Sequence, residues 1–319
     1  MRNPIACVAA LVTWALLGAA HASGTVWPPP NAPVQIFAPA PGGIQAGLKI
    51  SRLLAAHMQQ HAGGQFSTAA DTPAHGLPAA GFVAAAPANG STLLLQDTSL
   101  PTADGGASAT LQPVALVARL PGILVVNRDL PVKNLSQFAD YVHRHPGEVN
   151  FGSIGHGSAM HLAGQLYMQQ TGSNMVHVPY TSASLAVSNL ISGQIQAMFQ
   201  VVPAILPQLR TGEVRPLALM NPQRIPALPD VPTADEAGYA PLRSSVWLAL
   251  MAPAQTPDAV IQHINEALNA ALADESVRRG LEDLGAIPGG GSPEEARTVL
   301  QQSRIHWQAL MREADPPMR

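Results

Sequence analysis

"FGSIGHGSAMHLAGQL" (residues 151–166) passes from an apolar strand end, through a loop with three glycines and two serines, into a run of helix-forming residues. Ser158 stands where a helix N-cap belongs, and the pattern predicts a helix over residues 159–170. The first N–H groups of such a helix have no carbonyl partner and point into the loop, where the aligned peptide dipoles add roughly half a positive charge. Gly152, Gly155 and Gly157 let the backbone approach a ligand closely and permit positive φ. The stretch therefore predicts a strand–loop–helix unit that holds an anion without a lysine.

Ser-capped helices after glycine turns are common, so one unit decides little. Repetition decides more. Downstream, strand and helix alternate: strands at 149–151, 175–178, 196–199 and 214–219, helices at 159–170, 184–191 and 204–210. Gly172, Gly193 and Gly212 each stop a helix. Upstream, a strand at 34–38 runs into Pro-Ala-Pro-Gly-Gly (39–43) and a helix bearing Leu48, Leu53, Leu54 and Met58. Further strands are expected at 91–95, 114–118 and 123–126, the last two separated by Pro121-Gly122. The C-terminal part is helical, with Thr256-Pro257 opening one helix and a Ser292-Pro293-Glu294-Glu295 capping box the last. Such alternation implies an α/β fold whose mostly parallel sheet is covered on both faces. Loops at the carboxyl ends of the strands, among them Pro41-Gly42-Gly43 and 180–184, then gather where ligands bind. The chain is expected to cross between two lobes near Asn127 and again over 239–245, giving lobe 1 as 23–126 plus 246–319 and lobe 2 as 127–245. Two crossings imply a hinge that closes on a ligand.

Residues 1–22 carry one charge, Arg2, an apolar run over 5–20 and an Ala20-His21-Ala22 site before Ser23. They are expected to be a cleaved secretory signal, which sends the chain to the periplasm. The apolar run is short for a membrane span and has no stop-transfer cluster after it. Cys7, the only cysteine, lies inside it and is badly placed for lipidation, so the mature chain relies on its core and not on disulfides. Net charge is −3; without Arg2, 16 basic residues against 20 acidic ones give −4. With no basic stripe and few aromatics, a nucleic-acid partner is not expected.

Catalytic readings find little support. There is no GxxxxGK[ST], no GxGxxG in strand–helix context, and no G-x-S-x-G elbow at Ser153. His161, one turn into its helix, is read as a hydrogen-bond donor or packing residue and not as a base. The pairs His57/His61 and His143/His145 lack a third ligand beside them in sequence, so neither a metal nor any other cofactor is expected. Glu294-Glu295 suits a helix dipole and is not a catalytic dyad.

Four runs then resemble one family: "VNFGSIGHGSAMHLAGQLYMQQTG", "MVHVPYTSASLAVSNLISGQIQAMF", "VRPLALMNPQRIPALPDVPTADEAGY" and "WLALMAPAQTP", with "PAPGG" and "PANGSTLLL" before them. They resemble the Bug family, the periplasmic substrate-binding proteins of tripartite tricarboxylate transporters. The resemblance is specific from about Leu116 onward and looser before it. It implies a type II periplasmic binding protein, two α/β lobes joined by two crossing strands, with no catalytic step. It further implies capture of a small carboxylate and delivery to membrane permease subunits; a sensor presenting its closed form to a membrane receptor is the alternative, a hydrolase a more distant one. A monomer is expected.

Carried over by position, the resemblance implies a first-lobe loop of Pro41, Gly42 and Gly43 with Ile44 and Gln45, and a second-lobe loop of Ser153, Gly155, His156, Gly157 and Ser158 with His161 behind. Tyr180, Thr181 and Ser182 would form part of the wall, and Thr98 a further contact. Where the family carries an aspartate near the start of the first helix, this chain has Gln45-Ala46-Gly47; the usual Lys-Gly is Thr181-Ser182; and the common aspartate after "MF" is Gln200. A neutral glutamine cannot balance an ammonium group, so the expected ligand is a mono- or dicarboxylate without an amine.

Overall fold

The computed structural model describes residues 27–30, 32–38, 45–70, 79–97, 110–239 and 242–314. The first part of the chain supplies three parallel strands, β1 (Val34–Phe37), β2 (Phe66–Ala69) and β3 (Thr92–Asp97), with α1 (Gln45–Ala62) and α2 (Ala79–Ala84) between them. Then comes β4 (Leu111–Asn127), followed by α3 (Leu135–Arg144), β5 (Asn150–Ser153), α4 (Ala159–Thr171), β6 (Val176–Pro179), α5 (Ala183–Ile191), β7 (Ala197–Val201), α6 (Val202–Arg210) and β8 (Val214–Met220). The chain ends with β9 (Ser245–Pro253), α7 (Asp258–Ala273), α8 (Glu275–Asp283), β10 (Ile287–Gly290) and α9 (Pro293–Ala314). The sheet order is β2-β1-β3-β9-β4-β7-β5-β6, with β8 and β10 also paired to β4.

β4 corrects the expectation of two strands at 114–118 and 123–126. It is one strand of 17 residues, and Pro121-Gly122 is not a turn but the point where its partners change. Residues 111–121 pair with β9, and residues 122–127 with β7 and β8. Proline is tolerated there because the ladder is already being handed from one set of partners to another. Gly122 donates its N–H to the Ser244 carbonyl at 2.7 Å, and a Cβ at this position would stand 2.4 Å from that oxygen. The expected N-cap at Thr256 is also corrected: Pro257 takes the cap position of α7, with no side-chain cap bond.

Period-2 alternation sorts the core into layers. In the first half Ile36, Leu93, Leu95 and Val117 face α1 and α7, whose Ile50, Leu54, Ile264 and Leu268 complete one cluster. Phe37, Leu94, Leu116 and Met251 face the other way, toward α2 and the start of α9. In the second half Leu124, Val126, Phe151 and Phe199 pack against α3 and α4, while Ile123, Val125 and Met198 pack against α5 and α6. Both halves are thus two-sided α/β layers. Among the described residues no helix is long and apolar enough to cross a membrane.

Candidate binding site

Strand directions decide where a site can form. β5, β6 and β7 are mutually parallel, and β7 runs antiparallel to β4 with Val201 beside Gly122 and Ala197 beside Val126. Their carboxyl ends therefore point at the Pro121/Gly122 junction. β3 is antiparallel to β9, which is antiparallel to β4; Asp97 lies opposite Leu248, itself opposite Ala118. The carboxyl ends of β1 and β3 consequently approach the same junction from the other side. The carboxyl ends of both sets of strands thus face one seam between the sheet halves.

On the second side the loop is built by short-range chemistry. Ser158 caps α4: its Oγ accepts from the His161 N–H at 3.3 Å and donates to the Gly155 carbonyl at 2.8 Å. Gly155 and Gly157 take φ of +116° and +75°, where a side chain would be strained. The N–H groups of Ala159 and Met160 have no intrahelical acceptor and stay directed into the loop. Ser153, fully buried at the end of β5, donates to the Gly155 carbonyl, accepts the Gly155 N–H, and lies 2.6 Å from His177 Nε2. Its single proton is spent on Gly155, so His177 Nε2 carries the proton of that contact.

His177, on β6, stands beside residues 156 and 161 and was not among the residues picked from the sequence. Burial, reinforced by the neighbouring imidazoles of His161 and His156, pushes its pKa down to about 4, so the ring is neutral near pH 7. His161 is buried, its Nδ1 accepting from the Gly157 N–H and its Nε2 3.2 Å from the Gln165 amide. His156 is exposed.

The remaining predicted residues sort by place. Tyr180 leaves β6 with its N–H on the Ser153 carbonyl, and its hydroxyl meets the Asn189 amide at 3.0 Å, so the hydroxyl is engaged. Thr181 is exposed, and Ser182 caps α5 through the Leu185 N–H. Gln200, at the end of β7, is buried; its Oε1 accepts its neighbour's Val201 N–H and its amide meets Met160 Sδ at 3.6 Å. It lies beneath α4 and does not face open solvent. Pro41, Gly42, Gly43, Ile44 and Thr98 lie outside the described residues, and Gln45 is the first residue of α1. The structure thus gathers the second-side residues and leaves the first-side loop undescribed. A separate cavity of about 370 Å³, lined by Asn127, Tyr141, Val149 and Gln196, opens at the amino ends of the same strands, away from the seam.

Fold and loop cluster together define a class: a two-lobed, type II solute-binding protein. The sequence model of the "Tripartite tricarboxylate transporter family receptor" matches residues 50–315, and the chain belongs to that family. It is 31% identical to Protein BugT of Bordetella pertussis over 293 residues, 89% of this chain and 90% of that one. Among solved structures it is similar to R. palustris Rpa4515 with adipate (TM-score 0.80, 29% identity, 90% of this chain and 98% of that one). It is also similar to MatC from Rhodopseudomonas palustris with bound malate (TM-score 0.75, 28% identity, 88% and 99%). Family and structural neighbours are binding proteins, and those of this type are periplasmic.

Proposed function

We propose that this chain captures a small carboxylate at the seam between its sheet halves and delivers it to the permease subunits of a tripartite tricarboxylate-type transporter, with no catalytic step. The observation that carries the reading is the convergence of the β1/β3 and β5/β6/β7 carboxyl ends on Pro121-Gly122. There the α4 amides, Ser153, Gly155, Gly157 and Ser158, with Tyr180, Thr181 and Ser182 as wall, offer hydrogen-bond donors to an anion. Pro41, Gly42, Gly43, Ile44, Gln45 and Thr98 would close on it from the other lobe. In this reading the lobes divide at Pro121-Gly122, where β4 changes partners, as 23–121 plus 246–319 and 122–245, five residues before the crossing expected near Asn127; residues 1–22 are a cleaved export signal, and the protein acts as a monomer.

Adipate and malate in the related structures suggest the ligand class. Gln200 narrows it, because its amide is already committed to Val201 and Met160 and it carries no charge for an ammonium group. Calorimetry with adipate, malate, glutamate and aspartate tests this: the amine-free acids should bind more tightly than the amino acids. Thr181→Glu, an exposed change in the proposed wall, should weaken the bound acid about tenfold, equivalent to ~1.4 kcal/mol, while Thr181→Gln leaves it nearly unchanged. Equal affinity for wild type and Thr181→Glu would move the anion elsewhere.

A further inference from the structure

We propose that His156, His161 and His177 form a site for one divalent transition-metal ion of the zinc class, on the rim of the α4 loop. The three residues come from separate pieces of chain: the β5–α4 loop, the first turn of α4, and β6. The fold brings one nitrogen of each within 4.8 Å of the others, the only such cluster of three His, Cys, Asp or Glu among the described residues. Ring centroids lie 4.2–5.1 Å apart. Tetrahedral zinc with Zn–N of about 2.0–2.1 Å needs nitrogens about 3.4 Å apart. His156 is exposed and sits between two glycines, so a change of its rotamer can supply part of that contraction.

Simple ring packing does not account for the polar arrangement. His177 is held at Nε2 by Ser153 and His161 at Nε2 by the Gln165 side chain, the kind of outer support that orients ligating imidazoles; His161 Nδ1 would then take the metal in place of the Gly157 N–H. With Nε2 of His177 serving Ser153, its Nδ1 keeps a lone pair, and that buried atom has no hydrogen-bond partner among the described residues. Three imidazoles without a carboxylate or thiolate suit zinc, copper, nickel or cobalt and offer calcium or magnesium nothing. Three protein ligands leave a fourth position for water or for an oxygen of a solute.

Metal binding does not depend on the carboxylate reading, and the test uses metal alone. The purified protein, stripped with a chelator and free of carboxylate buffers, is titrated with Zn²⁺ by calorimetry and with Co²⁺ by visible absorption. One equivalent should bind, and Co²⁺ should give the intense visible bands of a four-coordinate site. His156→Ala, which removes an exposed ligand and should not lower the metal-free melting temperature, should weaken binding by at least the roughly 10–100-fold that loss of an outer-shell partner costs. A double His57→Ala/His61→Ala variant should bind as wild type. No binding, binding retained by His156→Ala, or binding lost with the His57/His61 variant would overturn the site. Because the titrations contain no carboxylate, they are read separately from adipate or malate binding, and either reading can fail alone.

Discussion

Gly164 lies on the face of α4 that meets Phe151, and a Cβ there would stand 2.3 Å from the ring. Two effects oppose each other in Gly164→Ala: alanine favours the helix by about 1 kcal/mol, and overpacking costs about 1–3 kcal/mol. The clash should win, because the Phe151 ring is itself fixed between His177 and Phe199, at centroid distances of 5.1 and 5.9 Å. A lower urea midpoint with an unchanged slope is the expected result. Tyr167, fully buried beside Phe138 and Phe199, makes a second prediction. Burial raises its pKa well above the ordinary phenol value. The stability tied to the neutral phenol is complete below pH ~10, where the unfolded chain ionises, and is lost as pH rises toward the folded value. Tyr167→Phe should therefore flatten the fall of the urea midpoint above about pH 10. At this scale the sequence revealed Ser158, because an N-cap is a local signal. It did not reveal His177, which reads as a polar residue in a strand until the parallel pairing of β5 with β6 sets it beside residues 156 and 161.

Helices were legible as elements because their stops are local: Ser158 and Gly172 bracket α4, with Gly172 left-handed at φ +66°. β4 was not legible, because Pro121-Gly122 has the composition of a turn and only partners more than 70 residues away, β7, β8 and β9, keep the chain extended through it. The capping box of α9 is another local signal that the structure forms: Glu295 accepts the Ser292 N–H at 2.7 Å, and Ser292 Oγ accepts the Glu295 N–H. α9 is anchored further on by Trp307, which is 1% exposed. Ser292→Ala should cost about 1 kcal/mol of stability, read from thermal or urea unfolding. The same box gives an acid limb. The Ser292 amide, then its hydroxyl, hold the Glu295 carboxyl below its ordinary pKa. Its contribution is present above the unfolded value and is lost as pH falls through the lower folded one. Ser292→Ala should therefore differ from wild type less at low pH than at pH 7.

Whether the two sheet halves behave as one cooperative body depends on the junction where β4 changes partners and the chain returns into β9. The aromatic residues happen to report on the halves separately. Trp27 and Trp307 lie in the core of the first half and Trp247 packs against that half's other face, whereas Tyr141, Tyr167, Tyr180 and Tyr239 all belong to the second. Tryptophan fluorescence and tyrosine absorbance therefore follow different ends of the molecule. In the wild-type protein the two signals should share one urea midpoint, because β4 is common to both halves and α4 packs on α9. Gly122→Ala puts a Cβ 2.4 Å from the Ser244 carbonyl, a backbone atom that cannot rotate away, and should force apart the segments joined by the 2.7 Å Gly122–Ser244 hydrogen bond. The tryptophan and tyrosine midpoints should then separate. If they instead move down together, the coupling resides in the unbroken β4 backbone and the α4–α9 contact, and the Gly122–Ser244 bond only sets the angle at which the halves meet.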